Sequence, residues 1–486
     1  MQKGQDVYLC EVPRIIFHID VNSAFLSWSA VKRVMEGGDD IRLVPSVVSG
    51  DPSDRRSIIA AASIPAKKLG IKAAMPVSMA LRQYPQLVIV RGDWAWYKQC
   101  SESFIAICRN YSPVLQQFSI DECFIDMGLR CSGHDPVDVA TRLKEEIKTK
   151  CGFTVNVGVG PNKLLAKMAS DFEKPDKVHT LWQEEIPQKM WPLGVRDLLW
   201  VGKKTEGRLL AYGIGTIGDL ARIGVGQLAR VVGARAAQQL HDSANGIDDT
   251  PVDTEVQEAK SYSAERTFAK DLSATKDIDR ALFNVACIVA HRIRRDEFRA
   301  STVSVFIKYH DFTIAQKQCQ MARPSATTAI ILNEARRMVA EIWDGVTPLR
   351  QVGLGVSKLT HEPYEQLMLF EDPQMEYYRQ WDRLYDEEKS QAEDARMLAF
   401  GRKVVQPAEI PPPRPSRRRS ELKDNSLVFT YSDGEQALAA AKSAVKQNPT
   451  FRFYSKRQED GTRYFVVVDE DGKAVERHFI EKRTNE

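Results

Sequence analysis

No CxxC pair, no HExxH and no apolar run of membrane-spanning length occur in this 486-residue sequence. The eight cysteines come no closer than eight residues apart. That spacing offers neither a zinc ribbon nor a disulfide framework and reads as core thiols. The most apolar window, Ala281 to Ala290, runs into HRIRR and is too short to cross a bilayer. The first residues, MQKGQDVYLCEVPRIIFHID, hold no apolar stretch of signal-peptide length, so a soluble cytoplasmic protein is expected. No repeat of fixed period is present. Neither sign of charge predominates: 68 Lys and Arg against 65 Asp and Glu leave +3. A histone-like polycation is thereby excluded, but a local basic surface is not.

What is present is ordinary globular material. With 43% hydrophobic and 27% charged residues, the composition fits neither the disordered nor the collagen-like class. At roughly 150 residues per domain the length suggests about three domains, enough to bury more than one core.

Apolar periodicity gives the organisation. IIFHI (15–19) reads as a buried strand ending at Asp20, and Phe25 to Met35 as a helix stopped by Gly37 and Gly38. Two β-like runs, LVPSVV and LVIV, enclose the small-residue helix PAKKLGI. Residues 96–110 read as a helix, FSIDECFIDM (118–127) as a hairpin, 137–150 as a helix and FTVNVGVG (153–160) as a strand. Strands and helices mix without a βαβ repeat, so an α+β fold is expected. Short Gly-punctuated helices follow over 191–250. Residues 260–360 alternate helix (281–298), strand (302–309), helix (327–343) and strand (349–358). An acidic helix-like stretch extends to about 400, then the Pro/Arg linker PPPRPSRRRS (411–420) and a terminal module over 427–480 reading as strand, helix and three strands.

Two acidic positions carry the chemistry. Asp20 ends the first strand, and the adjacent Asp121 and Glu122 sit in the apolar hairpin. Neighbouring buried carboxylates raise one another's pKa and are costly unless offset. A hard divalent cation offsets them with oxygen ligands and keeps positions for phosphate and water. Solvated acids at a strand end are the alternative that spacing leaves open.

Taken together, IIFHIDVNSAFLSWSA, SIDECFIDM and VNVGVGPNKLLAKMASDFEKP resemble the Y-family DNA polymerases, in the bacterial polymerase IV branch. The resemblance covers about residues 14–370. It implies an α+β right-hand architecture: a palm (14–36 and 91–188), small fingers (37–90), a helix-hairpin-helix thumb (189–250) and an α/β little finger (255–360). A clamp-binding peptide (361–375), an acidic helix with a Pro/Arg linker (376–420) and a small C-terminal α+β module of unknown role (427–480) would complete the chain.

By this resemblance Asp20, Asp121 and Glu122 are the catalytic carboxylates, and with the Val21 carbonyl they bind two Mg²⁺ ions for in-line phosphoryl transfer. Asn22 departs from the family, where many relatives carry a second acid. Phe25 matches the steric-gate aromatic that leaves no room for a ribose 2′-hydroxyl. Lys163 matches the lysine that meets the incoming triphosphate. In the fingers, relatives show a Thr, a Tyr and an Arg on phosphate; this chain has Ala61, Ile64 and Lys67, of which only Lys67 keeps a donor. Arg55 and Arg56 stand nearby as substitutes.

In the thumb, Gly202, Lys203 and Lys204 fit a hairpin that holds a DNA phosphate. VGKKT is no Walker A loop, since an extra Lys separates Lys203 from Thr205 and Asp197 stands where the leading Gly belongs. The little finger carries 16 Lys and Arg against 12 Asp and Glu, and Arg292, Arg294 and Arg295 of HRIRR are expected to track DNA phosphates. QLMLF (366–370) matches the peptide that docks bacterial polymerases on the sliding clamp, with Gln366 at the rim and Leu367, Leu369 and Phe370 in the cleft. The implied activity is error-prone, distributive translesion synthesis by a monomer using primer–template DNA and deoxynucleoside triphosphates. The rival reading is a non-catalytic polymerase-like accessory that binds DNA and clamp to recruit another polymerase.

Overall fold

The computed structural model describes residues 14–50, 57–128, 130–131, 133–255, 258–361 and 378–390, and beyond them 420–421, 427–431, 441, 452–457, 463–468 and 474–480. The chain divides into two compact units, Met1–Leu398 and Ala399–Glu486.

The first unit begins with β1 (Ile16–Val21), every residue of which is buried, and α1 (Ala24–Met35). A smaller segment follows: β2 (Ser46–Ser49), β3 (Ala61–Ala62), α2 (Ile64–Lys68), α3 (Val77–Gln83) and β4 (Val88–Arg91). Its three strands form a small sheet in the order β3-β2-β4 over a modest core of Val47, Ile59, Ile71 and Leu87.

The chain then returns with α4 (Trp94–Tyr111), β5 (Leu115–Gln117), β6 (Glu122–Asp126), α5 (Pro136–Cys151), β7 (Val155–Gly160), α6 (Lys163–Ser170) and β8 (Val178–Thr180). These strands and β1 make one sheet, β5-β6-β1-β7-β8. Alternation along β1 sorts its side chains. Phe17, Ile19 and Val21 enter the main core with Trp28, Phe104, Leu143 and Ile147 of the α1, α4 and α5 layer. Ile16 joins Phe124 and Ala166 on the opposite face, where α6 lies directly on β7. A Cβ on Gly158 would fall 1.9 Å from the Ala166 carbonyl oxygen, so glycine there is what lets α6 approach.

Helices α7 (Ile186–Lys189), α8 (Lys203–Ala211), α9 (Ile217–Arg222), α10 (Val225–Val232) and α11 (Ala234–Ala244) pack around Leu209, Ile217, Leu220 and Leu240. Next come β9 (Ser261–Leu272), α12 (Thr275–Arg295), β10 (Arg299–Tyr309), β11 (Ile314–Ser325), α13 (Thr328–Ile342) and β12 (Leu349–Thr360). Their antiparallel sheet runs β11-β10-β12-β9, with α12 and α13 closing its apolar face over Val303, Val305, Val352 and Leu354. A last helix, α14, spans 378–390.

The second unit carries β13 (Ser420–Glu421), β14 (Leu427–Tyr431), β15 (Arg452–Arg457), β16 (Arg463–Val468) and β17 (Ala474–Ile480), ordered β13-β14-β17-β16-β15. Within this sheet β14 and β17 pair in parallel. The helix expected between its first strands lies outside the described residues apart from Ala441. Among the described residues, no helix is long and apolar enough to cross a membrane.

The structure corrects several sequence expectations. The hairpin is shorter than FSIDECFIDM suggests: residues 118–121 turn, the Phe118 and Ser119 N–H groups both donating to the Glu122 carbonyl (3.0 and 3.1 Å). Asp121 and Glu122 therefore lie at a strand's start. Strands β9 and β11 were not signalled, because both are sheet edges whose exposed polar residues dilute the apolar alternation.

Candidate active site

The antiparallel register sets Asp20 opposite Glu122 across β1 and β6, and opposite Asn156 across β1 and β7. Asp121 is tied to the same strand end, its carbonyl accepting from the Val21 N–H (3.0 Å). Asp20 is 6% exposed. Three acids thus meet where water is scarce, and the structure meets them with cations. Lys167 of α6 donates to Glu122 Oε1 (2.8 Å) and lies 3.6 Å from Asp20. Lys174, in the turn after α6, donates to Asp20 Oδ2 (2.6 Å) and pairs with Asp171 (2.8 Å).

The electrostatics divide the acids. Burial opposes the charge on Glu122, but the His18 ring beside it, the hydrogen bond from Lys167 and the Lys167 charge overcome it, and its pKa falls. Asp121 goes the other way: burial, then the Asp20 and Glu122 charges, raise it against a hydrogen bond from Ser119 (2.7 Å) and a weaker backbone one. Lys167 and Lys174 are raised, since the neighbouring carboxylates outweigh burial. Beneath them, the His18 ring is fully buried, which lowers its pKa; Nδ1 bonds Ser170 Oγ (2.8 Å) and Nε2 lies 3.7 Å from Glu122.

Among the described residues no three metal-ligating side chains are gathered closely enough to hold an ion as they stand, because Asp20 and Glu122 are turned onto lysines. The donor chemistry nonetheless suits a hard cation. The acids supply carboxylate oxygens from two adjacent strand ends, and Asp121, raised by burial and by the neighbouring acids, has the most to gain from an added positive charge.

Phe25 sits on the first turn of α1. Its ring stacks on Tyr97 (5.0 Å, 24°) and meets the edges of Trp94 (5.1 Å) and Trp28 (5.9 Å). Lys67 of α2 donates to Ser23 Oγ (2.8 Å), and its pKa is lowered by burial and by Lys174, so the fingers bring a third lysine toward Asp20. Ala61 is buried in β3, while Ile64 opens α2 and is 42% exposed. Arg55 and Arg56 lie outside the described residues.

Lys163 is not brought to the carboxylates. Its ammonium donates to Gln116 Oε1 (3.1 Å) and lies 5.8 Å from the centre of the Phe124 ring. Lys167, one helical turn later, and Lys174 stand beside the carboxylates instead. KLLAK, with lysines at i and i+4, could have signalled Lys167. Nothing local marks Lys174, which the fold delivers.

Among the DNA contacts expected from sequence, Gly202 caps α8, and Lys203 and Lys204 stand exposed on its first turn. The HRIRR arginines have partners within the protein. Arg294 makes a two-pronged bond to Asp386 of α14 (2.7 and 2.7 Å) and pairs with Asp382 (3.2 Å). Arg292 donates to the Ser263 carbonyl and Arg295 to Asp296 (2.9 Å each). Arg294 is thus engaged by α14, while Arg292 and Arg295 stay exposed on α12. Gln366, Leu367, Leu369 and Phe370 lie outside the described residues.

Comparison with known proteins agrees with the geometry. The impB/mucB/samB family matches residues 19–171, its C-terminal domain matches 259–369, and the thumb domain of DNA polymerase iota matches 196–248. DNA polymerase IV of Clostridium acetobutylicum is 37% identical over 360 residues, covering 74% of this chain and 90% of that protein. DNA polymerase IV of Pelotomaculum thermopropionicum is 35% identical, over 72% of this chain and 86% of the relative. DNA polymerase IV 1 of Bacillus subtilis is 32% identical, over 74% and 85%. A solved Y-family DNA polymerase chimera, Dbh-Dpo4(243-245)-Dbh, shares the fold with a TM-score of 0.62 at 22% identity, covering 71% of this chain and 99% of the chimera. With its carboxylates on paired strand ends and the family, thumb-domain and C-terminal-domain matches in order along it, the chain belongs to the impB/mucB/samB family, the Y-family DNA polymerases, and is a DNA-directed DNA polymerase.

Proposed function

We propose that this chain extends a primer 3′ end on a DNA template by the two-Mg²⁺ route, as an error-prone, distributive translesion enzyme tethered by the sliding clamp. The observation that carries the reading is the register of Asp20 and Glu122 beside Asp121, with two lysines held against them. Asp20, Asp121, Glu122 and the Val21 carbonyl would hold the ions. Bound there, Mg²⁺ would supply Lewis acidity at the 3′-hydroxyl and the triphosphate. Lys167 keeps Glu122 ionised and ready to exchange partners. Lys174, rather than Lys163, meets the triphosphate, since its ammonium already occupies the Asp20 carboxylate. Lys67 faces the same space from the fingers. Phe25, backed by Tyr97, fills the volume a 2′-hydroxyl would need.

Primer extension with Mg²⁺ tests this directly. Wild type should extend, and Asp121→Ala with Glu122→Ala should not; no extension by folded wild type sinks the reading. One observation favours the accessory reading: Ala61 and Ile64 cannot donate to phosphate. The same assay separates the two. For tethering, Leu369→Ala with Phe370→Ala should abolish clamp-stimulated synthesis and spare basal synthesis, and equal stimulation of both proteins would remove QLMLF as the anchor.

A further inference from the structure

We infer that Asn22 and Asn156 are positioning residues: a buried amide pair that fixes the 170–177 turn so that Lys174 is delivered to Asp20. This rests on the reading of Lys174 as the lysine that serves the triphosphate.

Asn156 is 0% and Asn22 8% exposed, so neither amide can be satisfied by bulk water. Asn156 uses its whole hydrogen-bonding capacity, two donors and two acceptor sites. Nδ2 donates to the carbonyls of Ser170 (3.0 Å) and Glu173 (2.7 Å), and Oδ1 accepts from Lys177 N–H (3.3 Å) and from Asn22 Nδ2 (3.1 Å). Asn22 Oδ1 in turn accepts from Asp176 N–H (2.9 Å). Backbone groups on both sides of Lys174, at 170 and 173 before it and at 176 and 177 after it, are therefore held by two side chains. One of those side chains is the cross-strand neighbour of Asp20 itself. From that frame the Lys174 ammonium spans to Asp20 Oδ2 at 2.6 Å.

A long, flexible lysine makes a well-directed contact only if its backbone is fixed. Asp176 is clamped from outside as well, by Lys144 (2.7 Å) and Lys148 (2.8 Å) of α5, but those bonds do not touch the residues preceding Lys174. The amide at position 22 also accounts for the departure from the acid that many relatives carry. A carboxylate there could accept from Asp176 but could not donate to Asn156, and it would leave two acceptors face to face in a buried site.

A double-mutant cycle in the full-length protein, read as nucleotide KM and kcat separately, tests the inference. Asn22→Leu should raise the KM for the incoming deoxynucleotide by about tenfold, the scale of one lost hydrogen bond to an ion, with kcat changed less. Lys174→Ala should raise KM at least as much, and the double variant should be no worse than Lys174→Ala alone. If the Asn22→Leu effect persists undiminished in the Lys174→Ala background, the side chain acts through something other than Lys174 and the inference is overturned. If Lys174→Ala leaves KM at the wild-type value, the reading of Lys174 falls, and this one with it. Should Asn22→Leu fail to fold, Asn22→Ser, which cannot span both partners, goes through the same cycle.

Discussion

Lys167 reaches Glu122 at 2.8 Å and Asp20 at 3.6 Å, so one ammonium bridges two acids that β-pairing sets opposite each other. It arrives there because α6 lies against β7 at Gly158. Gly158→Ala should therefore damage activity through position rather than chemistry. The added Cβ would stand 1.9 Å from the Ala166 carbonyl and 2.4 Å from the Ser170 nitrogen, both backbone atoms that cannot swing aside. The helix must move, taking Lys167 and the 170–177 turn with it. Primer extension should fall by at least about tenfold, the cost of misplacing reacting groups by a fraction of an ångström to an ångström. Thermal stability should fall by about 1–3 kcal/mol, as for overpacking generally. Wild-type extension by Gly158→Ala would show that α6 does not set the site.

The gate is tested by the choice of sugar. Phe25→Ala removes a ring stacked on Tyr97 and should raise the ratio of ribo- to deoxynucleotide insertion, measured as kcat/KM, by at least about tenfold. Because the ring is only partly buried, the cost to folding should fall below the ~3–5 kcal/mol of a core Phe→Ala change. An unchanged sugar ratio in a folded variant would remove Phe25 from the specificity machinery.

The strands that carry the acids were the most legible part of the chain. β1 and β7 are buried apolar runs bounded by turn residues, and Asp20 and the Asp121–Glu122 pair stand out against apolar sequence, although spacing alone left solvated acids open. Lys174, Asn156 and the α14 contacts were not legible. Each depends on pairings between residues far apart in sequence, which no local period records. HRIRR shows the limit well: a cationic run reads the same whether its partner is a phosphate or Asp386. Only packing decides.

Acid should weaken the clamp on the 170–177 turn. The Asp176 pKa is lowered: burial opposes this, but hydrogen bonds and charge from Lys144 and Lys148 prevail. Because the folded-state pKa lies below the unfolded one, the stabilisation is present in full above the usual carboxylate value and is lost as pH falls through the folded value. Asp176→Asn should therefore cost about 1 kcal/mol at neutral pH. The gap between it and wild type should close below about pH 4. Denaturant midpoints at pH 7 and at pH 3.5 check this, and a gap that widens in acid would reverse the assigned sign.

Arg294 separates structure from DNA binding. Asp382, 4% exposed, accepts from the Thr328 N–H (3.1 Å) and from its hydroxyl (2.5 Å). It thereby caps α13, whose own preceding Thr327 makes no side-chain cap. Arg294 pairs with Asp382 and Asp386 together, and His291 Nδ1 bonds Asp386 at 2.8 Å. Trp381 lies 5.5 Å from Phe283. Helix α14 is thus fastened to α12 and α13 by charge, cap and ring contact at once. Arg294→Ala leaves a buried Asp382 with its charge uncompensated and should destabilise by about 3 kcal/mol. The DNA affinity of the folded protein and the slope of that affinity against salt should stay at wild-type values, since no phosphate contact is lost. A reduced salt slope with unchanged stability would restore Arg294 to the DNA surface and make the pairing with α14 incidental.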